Sequence, residues 1–153
     1  MAEHVKLRAE MEKFYEVVEE VQFQSGPEVT RLFTELNGMV SAFTKALEAH
    51  SKREEEGLFP ITARRLGEND RTIEVMEFEH EKAEQHLQDF LTEAERAGAN
   101  LSEDEAQSIA IHAEQAYATL TQHFAKEEKN LFPLAETLLT GDEKDELEQL
   151  MRR

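Results

Sequence analysis

Apolar residues recur along this chain at alternating steps of three and four, the spacing that lines one face of an α-helix. A first stripe runs through Leu7, Met11, Phe14, Val18 and Val21, and a second through Val29, Leu32, Leu36, Val40, Phe43 and Leu47. A third takes Ile73, Met76, Ala83, Leu87, Phe90 and Ala94, and a fourth Ile109, Ala116, Leu120 and Leu131. Four amphipathic helices are predicted. Their limits are marked by QSGPE, with Pro27 at a first helical position, by GEND at 67–70, and by AGANLSEDE, where Ser102 and Glu105 have capping-box spacing. A short fifth helix is expected after TGDE. Only three prolines are present, β-branched alternation is scarce and the connections are short. The expected fold is therefore all-α: an antiparallel up-down four-helix bundle with a short C-terminal helix. A length of 153 residues suits one domain, 1–153, made of two helical hairpins at about 1–66 and 70–140 and a tail at 141–153.

The stripes have polar gaps. Extending each by its own rule lands on His4 in the first helix, His50 and Glu54 in the second, His80 in the third, and His123 and Glu127 in the fourth. A buried imidazole or carboxylate must find a partner, because an unpaired one costs several kcal/mol. Any one of these histidines alone reads as a satisfied core residue. Four at matching depth read otherwise. His4 and His80 lie near the starts of their helices and His50 and His123 near the ends, so an up-down arrangement brings all four to one layer.

Residues four apart on a helix are about 40° apart around its axis, so His50 with Glu54, and His123 with Glu127, can reach a common point. Glu55 and Glu128, one step further, are expected in solvent or behind the inner residues, unless a π-bulge exchanges the roles. His-x-x-x-Glu is weak as an isolated signal: six histidines and 29 glutamates give about one chance pair, against three here. The repeat is stronger. HSKREEEGLFP at 50–60 returns as HFAKEEKNLFP at 123–133 with six of eleven positions identical, and Glu-His at 3–4 and at 79–80 is followed at equal offsets by Met11 and Phe14 or by Leu87 and Phe90. Each half is thus one helix pair bringing two histidines and one carboxylate. Pro60 and Pro133, which bias the residues before them away from helical geometry, are expected to kink or end helices just beyond this layer. His112, three turns from His123, and His86 are expected outside it.

Composition narrows the chemistry. A formal charge of −17 and a pI near 4.7 argue against nucleic acid or an anionic membrane as partner. Without cysteine there is no disulfide, thiolate metal site or cysteine nucleophile. The charged N-terminus and the lack of 18 consecutive apolar residues lead to the expectation of a cytoplasmic protein. Four imidazoles and two carboxylates suit borderline first-row metals, and paired carboxylates can bridge two ions about 3.5–4 Å apart.

A histidine, then His-x-x-x-Glu with Leu-Phe-Pro, a third histidine, and a second His-x-x-x-Glu with Leu-Phe-Pro resembles the hemerythrin-like, or HHE cation-binding, domain over residues 1 to about 140. The resemblance implies two iron ions in an oxo- or hydroxo-bridged di-iron centre, with His4 and His50 on one, His80 and His123 on the other, and Glu54 and Glu127 bridging. It also implies a small diatomic ligand or peroxide as partner. Two positions depart from the oxygen carriers, which place a histidine four residues after the third-helix histidine and an aspartate in the fourth helix. Here Glu84 stands at the first position and is an extra ligand, a hydrogen-bonding neighbour of the ligands or an exposed residue. These departures weigh against simple oxygen transport. Three functions follow: a non-haem di-iron protein that reacts with dioxygen, peroxide or nitric oxide, with weak peroxidase, catalase or oxidase-type activity as its enzymatic form; a reversible oxygen-binding, storage or sensing module; and a metal-free helical interaction protein. Small residues facing the layer, Ala46, Ala83 and Ala116, are expected to leave room for a diatomic molecule.

Overall fold

The computed structural model describes residues 2–67, 70–98 and 101–151. Glu68 and Asn69 of the GEND boundary, Ala99 and Asn100 of the next one, and the terminal residues Met1, Arg152 and Arg153 lie outside the described residues. The chain forms α1 (Ala2–Phe23), α2 (Pro27–Arg53), a π-helical turn (Glu54–Leu58), α3 (Phe59–Leu66), α4 (Thr72–Ala97), α5 (Glu103–Lys126), a second π-helical turn (Glu127–Leu131), α6 (Phe132–Leu138) and α7 (Gly141–Met151). No strand occurs among the described residues. Pro27 opens α2 as expected, and at the start of α5 the Ser102 hydroxyl accepts from the Glu105 amide (3.1 Å) while the Glu105 carboxylate accepts from the Ser102 amide (3.4 Å).

The predicted stripes face inward and decide which helices touch. α1 packs on α2 and α5, and α4 packs on α5 and α2. At one end the start of α1 meets the end of α2, where the rings of His4 and His50 are 5.0 Å apart. At the other, Gln22 of α1 donates to the carbonyl of Gln107 near the start of α5 (2.9 Å). Phe14, Phe43, Phe90 and Phe124 fill the long core with no more than 1% exposure each. Burial of each such ring contributes about 1.5–3 kcal/mol. A smaller apolar cluster at one end gathers Leu58, Phe59, Ile61, Met76, Leu131 and Leu139. The buried histidines touch both: His4 meets Phe124 of the long core at 4.5 Å, and His80 meets Phe59 of the small cluster at 5.3 Å.

The prolines do not end the helices, nor do they move the preceding residues out of helical geometry. Phe59 (φ −65°, ψ −52°) and Phe132 (φ −64°, ψ −46°) are helical, and the chain continues as α3 and α6. The reason is the π-turn before each proline. The Phe59 amide donates to the carbonyl of Glu54, five residues back, and the Phe132 amide to that of Glu127. The widened turn accommodates a pyrrolidine ring that would strike the carbonyl four residues back in a regular α-helix.

The expected fifth helix is α7, capped by Thr140 and Glu143: the Thr140 hydroxyl accepts from the Glu143 amide (3.1 Å) and the Glu143 carboxylate from the Thr140 amide (2.9 Å). None of its residues is fully buried. Arg65 bonds Glu143 (2.8 Å), Lys144 bonds Glu136 (3.0 Å), and Leu147 and Leu150 rest on the small cluster. No described helix is long and apolar enough to cross a membrane.

Gly57 in the first π-turn is where α7 comes closest: a Cβ there would lie 3.2 Å from Leu150 Cβ and 3.4 Å from Leu147 Cδ1. Gly57→Val is therefore expected to push α7 off its seat and lower stability by about 1–3 kcal/mol. Hydrogen exchange would show it as lost protection across Gly141–Met151. Unchanged protection there would refute the assigned contact.

Candidate metal centre

The end of α2 and the end of α5 each present a histidine and, four residues on at the first π-helical position, a glutamate. His4 from α1 and His80 from α4 complete the layer. Exposure is 3% or less for the four histidines and 0% for Glu54 and Glu127. His50 Nε2 lies 2.7 Å from Glu54 Oε1 and His4 Nε2 lies 3.1 Å from Glu127 Oε2. His80 Nε2 is 3.4 Å from Glu54 Oε1 and 3.6 Å from Glu127 Oε1, and His123 Nε2 abuts the latter oxygen. Two sets of possible ligand atoms result: His4, His50, Glu54 and Glu127, and Glu54, His80, His123 and Glu127, each within 4.8 Å of one another. Both carboxylates belong to both sets.

All four Nε2 atoms and all four oxygens of Glu54 and Glu127 are buried without a hydrogen bond of acceptable geometry. Such orphans cost about 1–3 kcal/mol each, and more when charged. A cation between them would satisfy all eight. The donor set is nitrogen and oxygen with no thiolate, two imidazoles and two carboxylates at each position, so the residues fit a pair of first-row ions. The carboxylates already demand positive charge. Burial opposes a charged His80, yet Glu127 and Glu54 push its pKa up to about 10. Burial likewise opposes a charged Glu127, but contacts with His123, His4 and His80 hold that carboxyl well below the usual range.

The outward nitrogens are equally organised. His50 Nδ1 donates to Glu3 (2.6 Å), His123 Nδ1 to Glu79 (3.3 Å) and His4 Nδ1 to Glu128 (3.4 Å), while His80 Nδ1 faces Glu55 at 3.7 Å. An ionised carboxylate only accepts, so His50, His123 and His4 carry a proton on Nδ1 and turn Nε2 inward, the tautomer that a metal requires. Three of these carboxylates are themselves held: Glu3 by Arg53, Glu79 by Lys126 (2.7 Å) and Glu128 by Arg8 (2.7 Å). Arg8 holds the Glu128 carboxyl below its usual range.

The six residues named from the sequence are thus brought together. Glu55 and Glu128 stay outside, at 47% and 35% side-chain exposure. The π-turns therefore do not exchange the roles, because they begin at Glu54 and Glu127 and leave the preceding His-Glu spacing intact. Glu84 joins neither set; it is half-buried beside Ser51, and burial together with the nearby Glu55 charge raises its pKa. His112 and His86 lie apart from the layer, His112 against Glu93. Ala83 and Ala116 are packed into the core, whereas Ala46 lines a cleft of about 210 Å³ with Glu3, Leu7 and His50. Glu3 and Glu79 were not singled out by the helical stripes. Their signal was the Glu-His pair repeated at the start of each half.

The family model described as Hemerythrin HHE cation binding domain matches residues 1–151. No individual curated protein and no solved structure matches the chain.

A cation that binds only the folded form stabilises it in proportion to the logarithm of its concentration. At a hundredfold excess over Kd, added Fe(II) or Co(II) is expected to raise Tm by about 5–10 °C. A chelator should reverse the shift, and a His50→Ala/His123→Ala variant should lack it. An unchanged Tm in the parent protein would count against a metal site here.

Proposed function

Since the chain belongs to the Hemerythrin HHE cation binding domain family, we propose that it is a non-haem di-iron protein that binds and reacts with a small oxidant, dioxygen, peroxide or nitric oxide. In this reading residues 1–153 are one domain whose four long helices run antiparallel, up and down, each delivering one histidine to a shared layer. His4 and His50 hold one ion, His80 and His123 the other, and Glu54 and Glu127 bridge them. The observation that carries the reading is the set of eight buried, mutually facing donor atoms without hydrogen bonds, divisible into two sets that share both carboxylates. Bound iron would supply the redox chemistry that none of these side chains has.

The chain's own residues supply the rest. Glu3, Glu79 and Glu128 fix three imidazoles through their Nδ1 protons, so their Nε2 atoms are directed inward before any ion arrives. Phe59, Phe124 and Phe132 wall the layer against bulk water. The cleft beside Ala46 and His50 is large enough for a diatomic molecule or peroxide and lies against His50, on the side where Glu3 holds it. With two anionic bridges and an outer ring of carboxylates, the site favours the more highly charged state of a bound metal. That favours reaction over reversible carriage.

Metal analysis is the direct test. About two irons per chain are expected, with comparable losses in Glu54→Ala and Glu127→Ala because each removes one bridge. Two irons and an unaltered ferric spectrum in either variant would overturn the bridging assignment. Ferrous protein mixed with air in a stopped-flow spectrometer should convert in one direction to the ferric spectrum, and the ferric protein should consume hydrogen peroxide modestly. A spectrum that reverts under argon, with no peroxide consumption, would favour the carrier or sensor.

A further inference from the structure

The outer ring follows the internal repeat closely. Adding 76 to a position in α1, or 73 to one in α2 or its π-turn, finds the counterpart: Glu3 with Glu79, His4 with His80, His50 with His123, Arg53 with Lys126, Glu55 with Glu128. Charge also differs at Val5 with Glu81, Glu48 with Thr121, Lys52 with Ala125 and Glu56 with Lys129, where every charged member is exposed; among the groups packed behind the histidines the rule fails in charge at one pair. Arg8 has Glu84 as its counterpart, and the residue packed beside each changes with it.

At the His4 corner, Arg8 donates to both oxygens of Glu128 (3.1 and 2.7 Å) and its guanidinium lies 5.8 Å from the centre of the Phe124 ring. Phe124 in turn touches His4. At the His80 corner, the counterpart of Phe124 is Ser51, buried at 2% exposure, and half-buried Glu84 occupies the chain position equivalent to Arg8. Among the described residues no lysine or arginine lies within ion-pair distance of Glu55 or Glu84. His80 Nδ1 is buried without a hydrogen-bond partner, 3.7 Å from Glu55. One corner therefore carries a carboxylate paired with a guanidinium under an aromatic ring, and the other carries two carboxyl groups with no lysine or arginine against them. The remaining two corners are matched, Glu3 with Arg53 and Glu79 with Lys126.

We propose that this exchange of Arg8 for Glu84 makes the two metal positions unequal, so that the position formed by His80 and His123 takes the first divalent cation and the position formed by His4 and His50 takes the second. The inference rests on the two-ion reading above. A guanidinium backs one corner and a carboxyl group the other, while the donor sets themselves have the same composition. Altering the outer partners of ligating histidines changes metal affinity by about 10- to 100-fold, so a difference confined to those partners is large enough to set an order of filling. Arg8 and Glu84 are positioning residues in this account: they act on the ions through Glu128, Glu55 and the histidines.

The test is occupancy under sub-stoichiometric loading. Protein labelled with 15N in its histidines would receive half an equivalent of Zn(II), a redox-silent probe, and NMR would report which Nε2 resonances move to their metal-bound positions. His80 and His123 are expected to be filled over His4 and His50 by about tenfold or more. Glu84→Gln should reduce this preference, and the charge swap Arg8→Glu with Glu84→Arg should reverse it, an effect that loss of packing would not produce. Equal filling in the parent protein, or an order unchanged by both variants, would overturn the proposal while leaving two bound ions intact. Failure of all four histidines to shift at saturating Zn(II) would instead overturn the two-ion reading, and the proposal with it.

Discussion

Two carboxylates sealed from water in the middle of a helical bundle govern the arrangement around them. Glu54 and Glu127 have no exposure, and neither finds a hydrogen bond within the protein. Charge in such a place is tolerable only if opposite charge comes to it, because desolvating an ion costs several kcal/mol even after the surroundings relax. Four imidazole nitrogens are turned toward that pair. Their other nitrogens are turned toward carboxylates, and three of those carboxylates toward cations. Charge thus alternates outward from the centre, and the orientation of each side chain follows from the one inside it.

This alternation explains why the fold is divided. The long apolar core and the small cluster lie on either side of a polar layer, so the hydrophobic stripes of α2, α4 and α5 give way to polar residues at one depth and that of α1 begins just past it. The π-turns follow immediately. Inserting the extra residue after Glu54 and Glu127 leaves the histidine and glutamate in helical register, while re-aiming Leu58 and Leu131 into the small cluster. Local irregularity is placed where the helix has delivered its ligating candidates and must begin a different packing task.

Much of this was legible in the sequence because it depends on one helix at a time. The stripes, the capping box and the inward projection of His50 with Glu54 and His123 with Glu127 follow from a period of 3.6 residues. The outer ring was less legible, since Glu3 reaches His50 and Glu128 reaches His4 from other helices, at sequence separations of 47 and 124 that no periodicity relates. The expected bias of Phe59 and Phe132 away from helical geometry failed for a related reason. A rule about the residue before proline treats the preceding turn as a regular helix, whereas Phe59 and Phe132 remain helical because that turn has already widened. Glu84 stood out as a departure from the carriers, but its meaning depends on Ser51 from α2, which only packing can supply.

The crossed pairing of the outer ring also decides which half of the chain could pair with a copy of itself. Glu3 supports a histidine of its own hairpin, as does Glu79, but Glu55 and Glu128 each reach across to the other hairpin. Two copies of the first hairpin, paired by the same contacts, would set Arg8 against Glu55 at both crossings and close a salt bridge twice. Two copies of the second would set Glu84 against Glu128 twice and repel. With Arg8 on one side and Glu84 on the other, the covalent chain is a heterodimer of its own halves, and only one of those halves retains the charges of a self-complementary partner.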